Sequence, residues 1–160
     1  MKNVIYIFLF ISVSVAAQNS TQAVEETLNN WHLAAAEASF ENYFNLMTED
    51  AVFIGTDASE NWQLEEFKSF SKPYFDKGKA WTFHPLERNI YFSKNNKTAW
   101  FDELLETDLG ICRGSGVLTL TKEGWKIQHY VLSITIPNEN VSEIKELNQT
   151  HDTALLEILK

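Results

Sequence analysis

The last apolar stretch of the chain carries the side chain best suited to moving a proton. Alternate residues of a strand share one face, and the face that includes His129 is mostly apolar; its members are Trp125, Ile127, His129, Val131 and Ser133. We therefore expect His129 to point into the protein. An imidazole there could act as a general base or donate a hydrogen bond to a ligand. Alternatively, it is an interior histidine bonded to a neighbouring carboxylate or hydroxyl, with no chemical role.

Asp102 and Glu103 are further candidates for acid–base chemistry. They are adjacent in a strand-like stretch, so one must face the interior and the other must face away. Both faces contain apolar residues, and the sequence does not decide between them. A buried carboxylate must be paired or neutral, so we expect the inward one to meet Arg113 or His129. One of the two could instead serve a dimer interface.

The orientation of Arg113 depends on the hairpin that follows it. If Glu123 and Gly124 form a two-residue turn, the strand pairing points Arg113 away from the interior. A bulge within residues 114–116, which include two glycines, would turn Arg113 inward. An inward Arg113 would bind an anion, whereas an outward one is an ordinary surface charge. Both orientations remain open.

A mainly aromatic set of residues could hold a ligand. The candidate ligand-binding residues are Trp31, Asp57, Trp62, Trp100, Arg113 and Trp125. Asp57 and Trp62 could lie at the mouth of a cavity. Asp57 and Glu60 also match a capping box at the start of a helix, which needs no ligand. Most of the tryptophans should belong to the core, and some could line a pocket for a flat apolar molecule.

Several kinds of site have no matching pattern in the sequence. The four histidines are far apart and lack the spacing of metal ligands. Ser115 lies between two glycines, but within a strand rather than at the strand-to-helix turn of a nucleophilic hydrolase. No glycine-rich phosphate loop occurs. We therefore expect neither a metal nor a cofactor.

Composition limits the class of protein. The chain has 160 residues, with 13 Lys and Arg against 22 Asp and Glu and a net charge of −9. This length suits a single domain, and the acidic balance argues against nucleic acid as a partner. The single cysteine, Cys112, has no partner for an internal disulfide, and we expect it to be buried in a strand.

The N-terminus has the pattern of a secretory signal peptide over residues 1–17. Lys2 precedes a short apolar run, and small residues follow it up to Ala17. The run is shorter than most membrane-spanning helices. We therefore expect an exported, periplasmic or extracellular protein with no membrane contact after cleavage. The alternative is a retained N-terminal anchor helix.

Hydrophobic periodicity predicts helices first and then a run of strands. Helices are predicted near residues 21–35, 39–47, 63–76 and 138–160, with strands at 51–54, 79–92, 97–108, 111–122 and 125–136. The short connections between the last four strands predict antiparallel pairing. The sequence therefore predicts an α+β fold, in which N-terminal helices pack on a curved antiparallel sheet and enclose a cone.

Several segments carry a resemblance to a known family. They are Phe53–Asp57, Glu60, Trp62, Trp100–Glu103, Arg113–Leu118 and Gly124–Ser133. With the order of elements, they resemble the SnoaL-like branch of the nuclear transport factor 2-like superfamily, over about residues 21–138. The resemblance implies a cone-shaped fold and a SnoaL-like domain at residues 18–138, followed by a helical tail at 139–160. The superfamily includes isomerases, polyketide cyclases, dehydratases and non-catalytic binding or association domains.

Three functions are compatible with these features. The first is binding of a small apolar or aromatic molecule in the cone without turnover. The second is a cofactor-independent isomerase, cyclase or dehydratase that uses His129 or a cavity carboxylate as general base. The third is a homodimeric association module, which would pair through the outer sheet face. The outer residues predicted from alternation are Lys126, Gln128, Tyr130, Leu132, Ile134 and Ile136.

Overall fold

The computed structural model describes residues 20–160 of the chain. The predicted signal peptide, residues 1–17, lies outside the described residues. Within the described part, no helix combines the length and the apolar character needed to cross a membrane.

Four helices and six strands make up this part of the chain. The helices are α1 (residues 20–36), α2 (Phe40–Asn45), α3 (Leu64–Asp76) and α4 (Val141–Leu159), with a 3-10 turn at Asn138–Asn140. The strands are β1 (Met47–Ile54), β2 (Asn61–Gln63), β3 (His84–Phe92), β4 (Thr98–Thr107), β5 (Gly110–Thr121) and β6 (Gly124–Ile134). The predicted elements are present, and the short strand β2 is an addition.

The six strands form one curved sheet in the order β2-β1-β6-β5-β4-β3. All neighbours are antiparallel except β1 and β6, which are parallel. Short connections impose antiparallel pairing only on strands that follow one another, whereas β1 and β6 are separated by α3 and the strands between them. The predicted α+β fold is confirmed.

The core lies between the helices and the inner face of the sheet, the face that we define by Phe53 and Tyr130. Trp31 of α1 is fully buried, and its ring centroid lies 4.8 Å from that of Tyr130. Phe67 of α3 stacks on Phe53 at 4.0 Å. These aromatic contacts hold α1 and α3 against the sheet.

The β5–β6 hairpin turns one residue earlier than predicted. Thr121 pairs with Gly124, so the turn residues are Lys122 and Glu123. Gly124 has a φ of 114°, a conformation that glycine adopts without strain. Glycine therefore follows the turn here rather than forming part of it.

A bulge in β6 decides which side chains of that strand face the core. Leu118 pairs with Ile127, but Val117 pairs with His129, so Gln128 is an extra residue. The inner face consequently continues with Tyr130 instead of His129. The expectation that His129 shares a face with Trp125 and Ile127 was wrong. Tyr130 and Leu132, predicted on the outer face, are buried on the inner one.

The C-terminal tail is helical, as predicted, but it buries none of its residues. Leu147 is 74% exposed, and α4 and the loop after β1 line a cleft of about 430 Å³ that includes Asp57 and His151. Elsewhere, Cys112 is free and buried, which confirms that prediction. The boundary between domain and tail near residue 138 stays a prediction.

Candidate functional site

A cluster of polar side chains surrounds Glu103 on the inner face of the sheet. Glu103 is 1% exposed, and its Oε1 atom lies 2.9 Å from Nε2 of His32. The hydroxyl group of Tyr130 donates a hydrogen bond to the same oxygen, with an O···O distance of 3.3 Å. The Oε2 atom accepts a hydrogen bond from Nε of Arg88 at 2.9 Å, and Nη2 of Arg88 lies 2.8 Å from the same oxygen as an ion-pair contact. Both carboxylate oxygens therefore have partners.

The surroundings of Glu103 keep it ionised. Burial by itself would raise the pKa of Glu103, but the hydrogen bond from His32 and the charges of His32 and Arg88 lower it below its usual range. Burial and the neighbouring carboxylate raise the pKa of the Tyr130 hydroxyl well above its usual value. Tyr130 is therefore a hydrogen-bond donor to Glu103 rather than an acid at neutral pH.

The sheet register brings this cluster together. Glu103 on β4 lies opposite Arg88 on β3 and Gly114 on β5. A Cβ atom at Gly114 would lie 2.3 Å from the Tyr130 hydroxyl and 2.9 Å from Oε1 of Glu103. Because glycine has no side chain, the Tyr130 hydroxyl and the Glu103 carboxylate have space to contact each other at this position.

Three members of the cluster were not identified from the sequence. His32 lies four residues after Leu28, on the apolar stripe of α1, which is a readable signal of burial. Arg88 gave no such signal, because long basic residues are common on exposed strands. Tyr130 was placed on the outer face, because the bulge that turns it inward has no pattern of its own.

The partners predicted for the inward carboxylate lie on the outer face of the sheet. Arg113 is exposed and pairs with Ser133, and His129 pairs with Val117 and Val52. Glu103 therefore meets neither of them. The bulge that would have turned Arg113 inward lies in β6 rather than at residues 114–116.

Asp102 is the carboxylate that faces away from the core. Its Oδ1 atom accepts a hydrogen bond from the amide of Asn89 at 3.2 Å. Asp102 and Glu103 thus lie on opposite faces, as the alternation of a strand requires. Of the two, only Glu103 reaches the interior.

One cavity, which we call the aromatic cavity, has a volume of about 370 Å³ and lies between α3, residues 80–83 and the β4–β5 turn. Seven of its sixteen lining residues are aromatic; the lining residues are Phe53, Gly55, Thr56, Glu60, Trp62, Phe67, Phe70, Tyr74, Ala80, Trp81, Thr82, Phe83, Thr107, Asp108, Leu109 and Leu132. This size and composition are typical of a small-molecule site.

The cavity and the Glu103 cluster are adjacent but separate. None of the four cluster residues lines the cavity. Phe83 lines it, and the ring of Phe83 meets the ring of His32 edge to face at 5.5 Å. Leu132 also lines the cavity and pairs with Gly114, the residue opposite Glu103. Apolar side chains thus lie between the cavity and the buried charges.

Among the predicted ligand-binding tryptophans, Trp62 lines the cavity. It stacks on Phe70 at 4.4 Å and on Phe67 at 5.7 Å. Trp31 and Trp125 are buried in the core, and neither is among the residues that line the cavity. Trp100 lies on the outer face of the sheet, 46% exposed.

Asp57 and Glu60 form a turn and do not begin a helix. Oε2 of Glu60 accepts a hydrogen bond from the backbone N–H of Asp57 at 3.1 Å, and Oδ1 of Asp57 accepts one from the N–H of Ser59 at 2.8 Å. The capping box of α3 is made by Gln63 and Glu66, because strand β2 intervenes first. Asp57 lies outside the aromatic cavity, whereas Glu60 lines it.

Comparison with known families decides the classification of the fold. A family described as the SnoaL-like domain matches residues 24–137. The chain belongs to the SnoaL-like domain family. The resemblance seen in the sequence is confirmed, and the matched segment includes every residue of the Glu103 cluster and of the cavity wall. No curated protein matches the chain.

Solved structures of nuclear transport factor 2-like proteins share this fold. A candidate dehydratase from Streptomyces avermitilis has a TM-score of 0.66 and 12% identity, over 76% of this chain and 99% of that one. A candidate scytalone dehydratase from Novosphingobium aromaticivorans has a TM-score of 0.66 and 11% identity, over 77% and 89%. A protein of unknown function from Pseudomonas putida has a TM-score of 0.63 and 9% identity, over 78% and 92%. At these identities the likeness concerns the fold.

Metal-binding geometry is absent from the described residues. Between residues 20 and 160, no three His, Cys, Asp or Glu side chains are grouped so that they could hold a metal ion.

Proposed function

We propose that this SnoaL-like protein binds a small apolar or aromatic molecule in its aromatic cavity, without turnover. The observation that supports the proposal is the aromatic wall around about 370 Å³ of space. Burial of an apolar ligand against such a wall is favourable, since it removes apolar surface of both partners from water.

The Glu103 cluster favours binding over catalysis. A general base must reach the proton that it removes. Glu103 is 1% exposed, and both of its oxygens accept hydrogen bonds from His32, Tyr130 and Arg88. His129 and Asp102, the other candidate bases, lie on the outer face of the sheet. The cluster is better explained as the polar anchor between α1 and the sheet.

Fluorescence titration with the neutral apolar probe N-phenylnaphthylamine tests the proposal. We expect saturable binding that Trp62→Ala weakens by about tenfold, because this ring covers one wall of the cavity. Trp100→Ala is the matched control on the outer face and should leave the affinity unchanged. Equal effects of the two substitutions, or no saturable binding, would contradict the proposal.

We further propose that the protein forms a homodimer through the outer face of the sheet. The rings of Tyr91 and Trp100 stack there at 6.0 Å, and each is 46% exposed. Arg113, which has no ion-pair partner within residues 20–160, lies on the same face as Asp102. A two-fold axis would therefore place opposite charges around an apolar centre.

Light scattering after gel filtration tests the dimer. We expect Trp100→Lys to yield a folded monomer, since it places a charge in the apolar centre, and Lys122→Gln in the β5–β6 turn to leave the dimer intact. A monomeric parent protein would exclude this interface.

We also propose that the protein is exported and that its mature chain begins at Gln18. The support is the signal pattern of residues 1–17. The N-terminal peptide of the protein, identified by mass spectrometry after expression in its own cell, should start at Gln18. Recovery of an intact Met1 peptide from the cytoplasmic fraction would overturn this assignment.

A further inference from the structure

The charged groups in the cavity wall are all acidic. Glu60 and Asp108 line the cavity, and none of its lining residues is Lys, Arg or His. Glu60 is partly buried in the wall, whereas Asp108 is exposed at the rim. A ligand in this cavity thus meets negative charge without a compensating positive side chain.

Local geometry places the Glu60 carboxylate at the end of β1. A Cβ atom on Gly55 would lie 2.1 Å from Oε2 of Glu60, so glycine is required for the carboxylate to lie there. Oε2 accepts the backbone hydrogen bond of Asp57. Within residues 20–160, Oε1 of Glu60 has no hydrogen-bond partner and Glu60 takes part in no salt bridge.

The two lysines of α3 are engaged elsewhere. Lys68 and Lys72 of α3 form ion pairs with Glu65 and Asp76 on their own helix. Their ammonium groups lie over the rings of Phe44 and Phe40, at 5.9 Å and 5.4 Å from the ring centroids. None of these residues lines the cavity, so the positive charge of α3 does not neutralise Glu60.

The aromatic wall is also suited to a cation. Trp62, Phe70 and Trp81 line the cavity, and Phe70 is 40% exposed. The electron-rich faces of such rings attract organic cations, and indole does so most strongly. A carboxylate beside these rings strengthens the attraction, since the surrounding apolar groups reduce screening by water.

We propose that the ligand of this cavity is a monocation, an organic amine or quaternary ammonium compound with an apolar or aromatic body. The inference rests on the proposed binding function and adds the charge of the ligand. Glu60 supplies the opposite charge, the aromatic wall covers the body of the ligand, and Asp108 attracts the cation at the rim.

Three probes of similar size and different charge test this inference on the purified protein. Phenyltrimethylammonium is a cation, tert-butylbenzene is its neutral isostere, and benzenesulfonate is an anion. We expect calorimetric or NMR titration to show about tenfold tighter binding of the cation than of the isostere, with the anion weakest.

The results separate the two proposals. If tert-butylbenzene binds as tightly as the cation, the charge inference is overturned and the proposal of an apolar ligand stands. If none of the three probes binds, the proposed function fails, and this inference fails with it.

A charge-neutral variant locates the effect. Glu60→Gln should remove most of the preference for the cation, so that phenyltrimethylammonium and tert-butylbenzene bind with similar affinity. Glu25→Gln, which removes the same charge from an exposed position on α1, should change neither affinity. An unchanged preference in Glu60→Gln would overturn the role of Glu60, and the comparison of probes on the parent protein decides the ligand charge even if this variant does not fold.

Discussion

Glu103 is a charged side chain with almost no exposure to water. Such a charge is tolerated only when hydrogen bonds and opposite charges replace its hydration. His32, Arg88 and Tyr130 supply these partners from α1, β3 and β6. Arg88 also donates a hydrogen bond from Nη1 to Oδ1 of Asn29 at 2.8 Å. The cluster therefore joins helix α1 to three strands of the sheet.

Removal of the Glu103 charge should destabilise the protein strongly. In Glu103→Gln, the buried guanidinium of Arg88 loses its counter-charge, and we expect the free energy of unfolding to fall by about 3 kcal/mol. The neighbouring Asp102→Asn, on the opposite face, should change it by less than about 0.5 kcal/mol. Urea denaturation of both variants makes the comparison. A smaller effect in Glu103→Gln than in Asp102→Asn would contradict the role given to the cluster.

Glu103 should also make stability depend on acid pH. Its pKa in the folded protein is lowered from the usual 4.5, so its contribution is complete above that value and is lost as the pH falls through the folded pKa. We expect the free energy of unfolding to decrease below about pH 4.5. The slope should be smaller in Glu103→Gln, and parallel curves for parent and variant would argue against an ionised Glu103.

At the scale of the element, the bulge in β6 determines which residues face the core. The extra residue Gln128 lies between two stretches, Trp125–Ile127 and Tyr130–Leu132, in which the first and last residues face the core. Its side chain donates a hydrogen bond to Oδ2 of Asp50 at 2.9 Å. Without Gln128, strict alternation would keep the same residues on the inner face.

Deletion of Gln128 should therefore be tolerated. We expect a loss of about 1 to 2 kcal/mol, from the hydrogen bond to Asp50 and the altered strand bend. Deletion of Val131 is the control, because it would turn Leu132 and the residues after it to the wrong face and abolish folding. Circular dichroism with thermal unfolding measures both variants. If the two deletions destabilise the protein equally, the bulge itself is required for folding.

At the scale of the whole molecule, the cavity is formed by segments that are distant in sequence. Helix α3, residues 80–83 and the β4–β5 turn each contribute to its wall. The C-terminal helix does not contribute to it, and no residue of that helix is buried. The matched family domain also ends at residue 137. The cavity should therefore not depend on the tail.

Removal of residues 139–160 should leave the domain folded. We expect the free energy of unfolding to change by less than about 1 kcal/mol, since α4 adds little apolar surface to the core. The affinity for N-phenylnaphthylamine should also be retained. Thermal unfolding and probe titration of the shortened chain are the measurements, and a chain that no longer unfolds cooperatively would show that the tail is part of the domain.

Local patterns were sufficient for the elements and insufficient for the site. Periodicity predicted α3 within one residue of Leu64 and located the four long strands, because burial repeats every two or every 3.6 residues. Trp62 was a candidate for the mouth of a cavity because of its aromatic side chain, and it lines the cavity. His32 carried a signal on the apolar stripe of α1, but the partners of Glu103 could not be assigned, because they come from three distant elements.

The amino-acid sequence by itself determined the α+β class, the succession of elements, the burial of Cys112 and the rule that only one of Asp102 and Glu103 faces inward. These follow from local geometry and from hydrophobic burial. Only the tertiary structure decided that Glu103 is the inward residue, that Arg88 and His32 neutralise it, and that His129 faces outward. A single bulge reverses the faces of a strand, and its position depends on pairing with another strand, which no local pattern records.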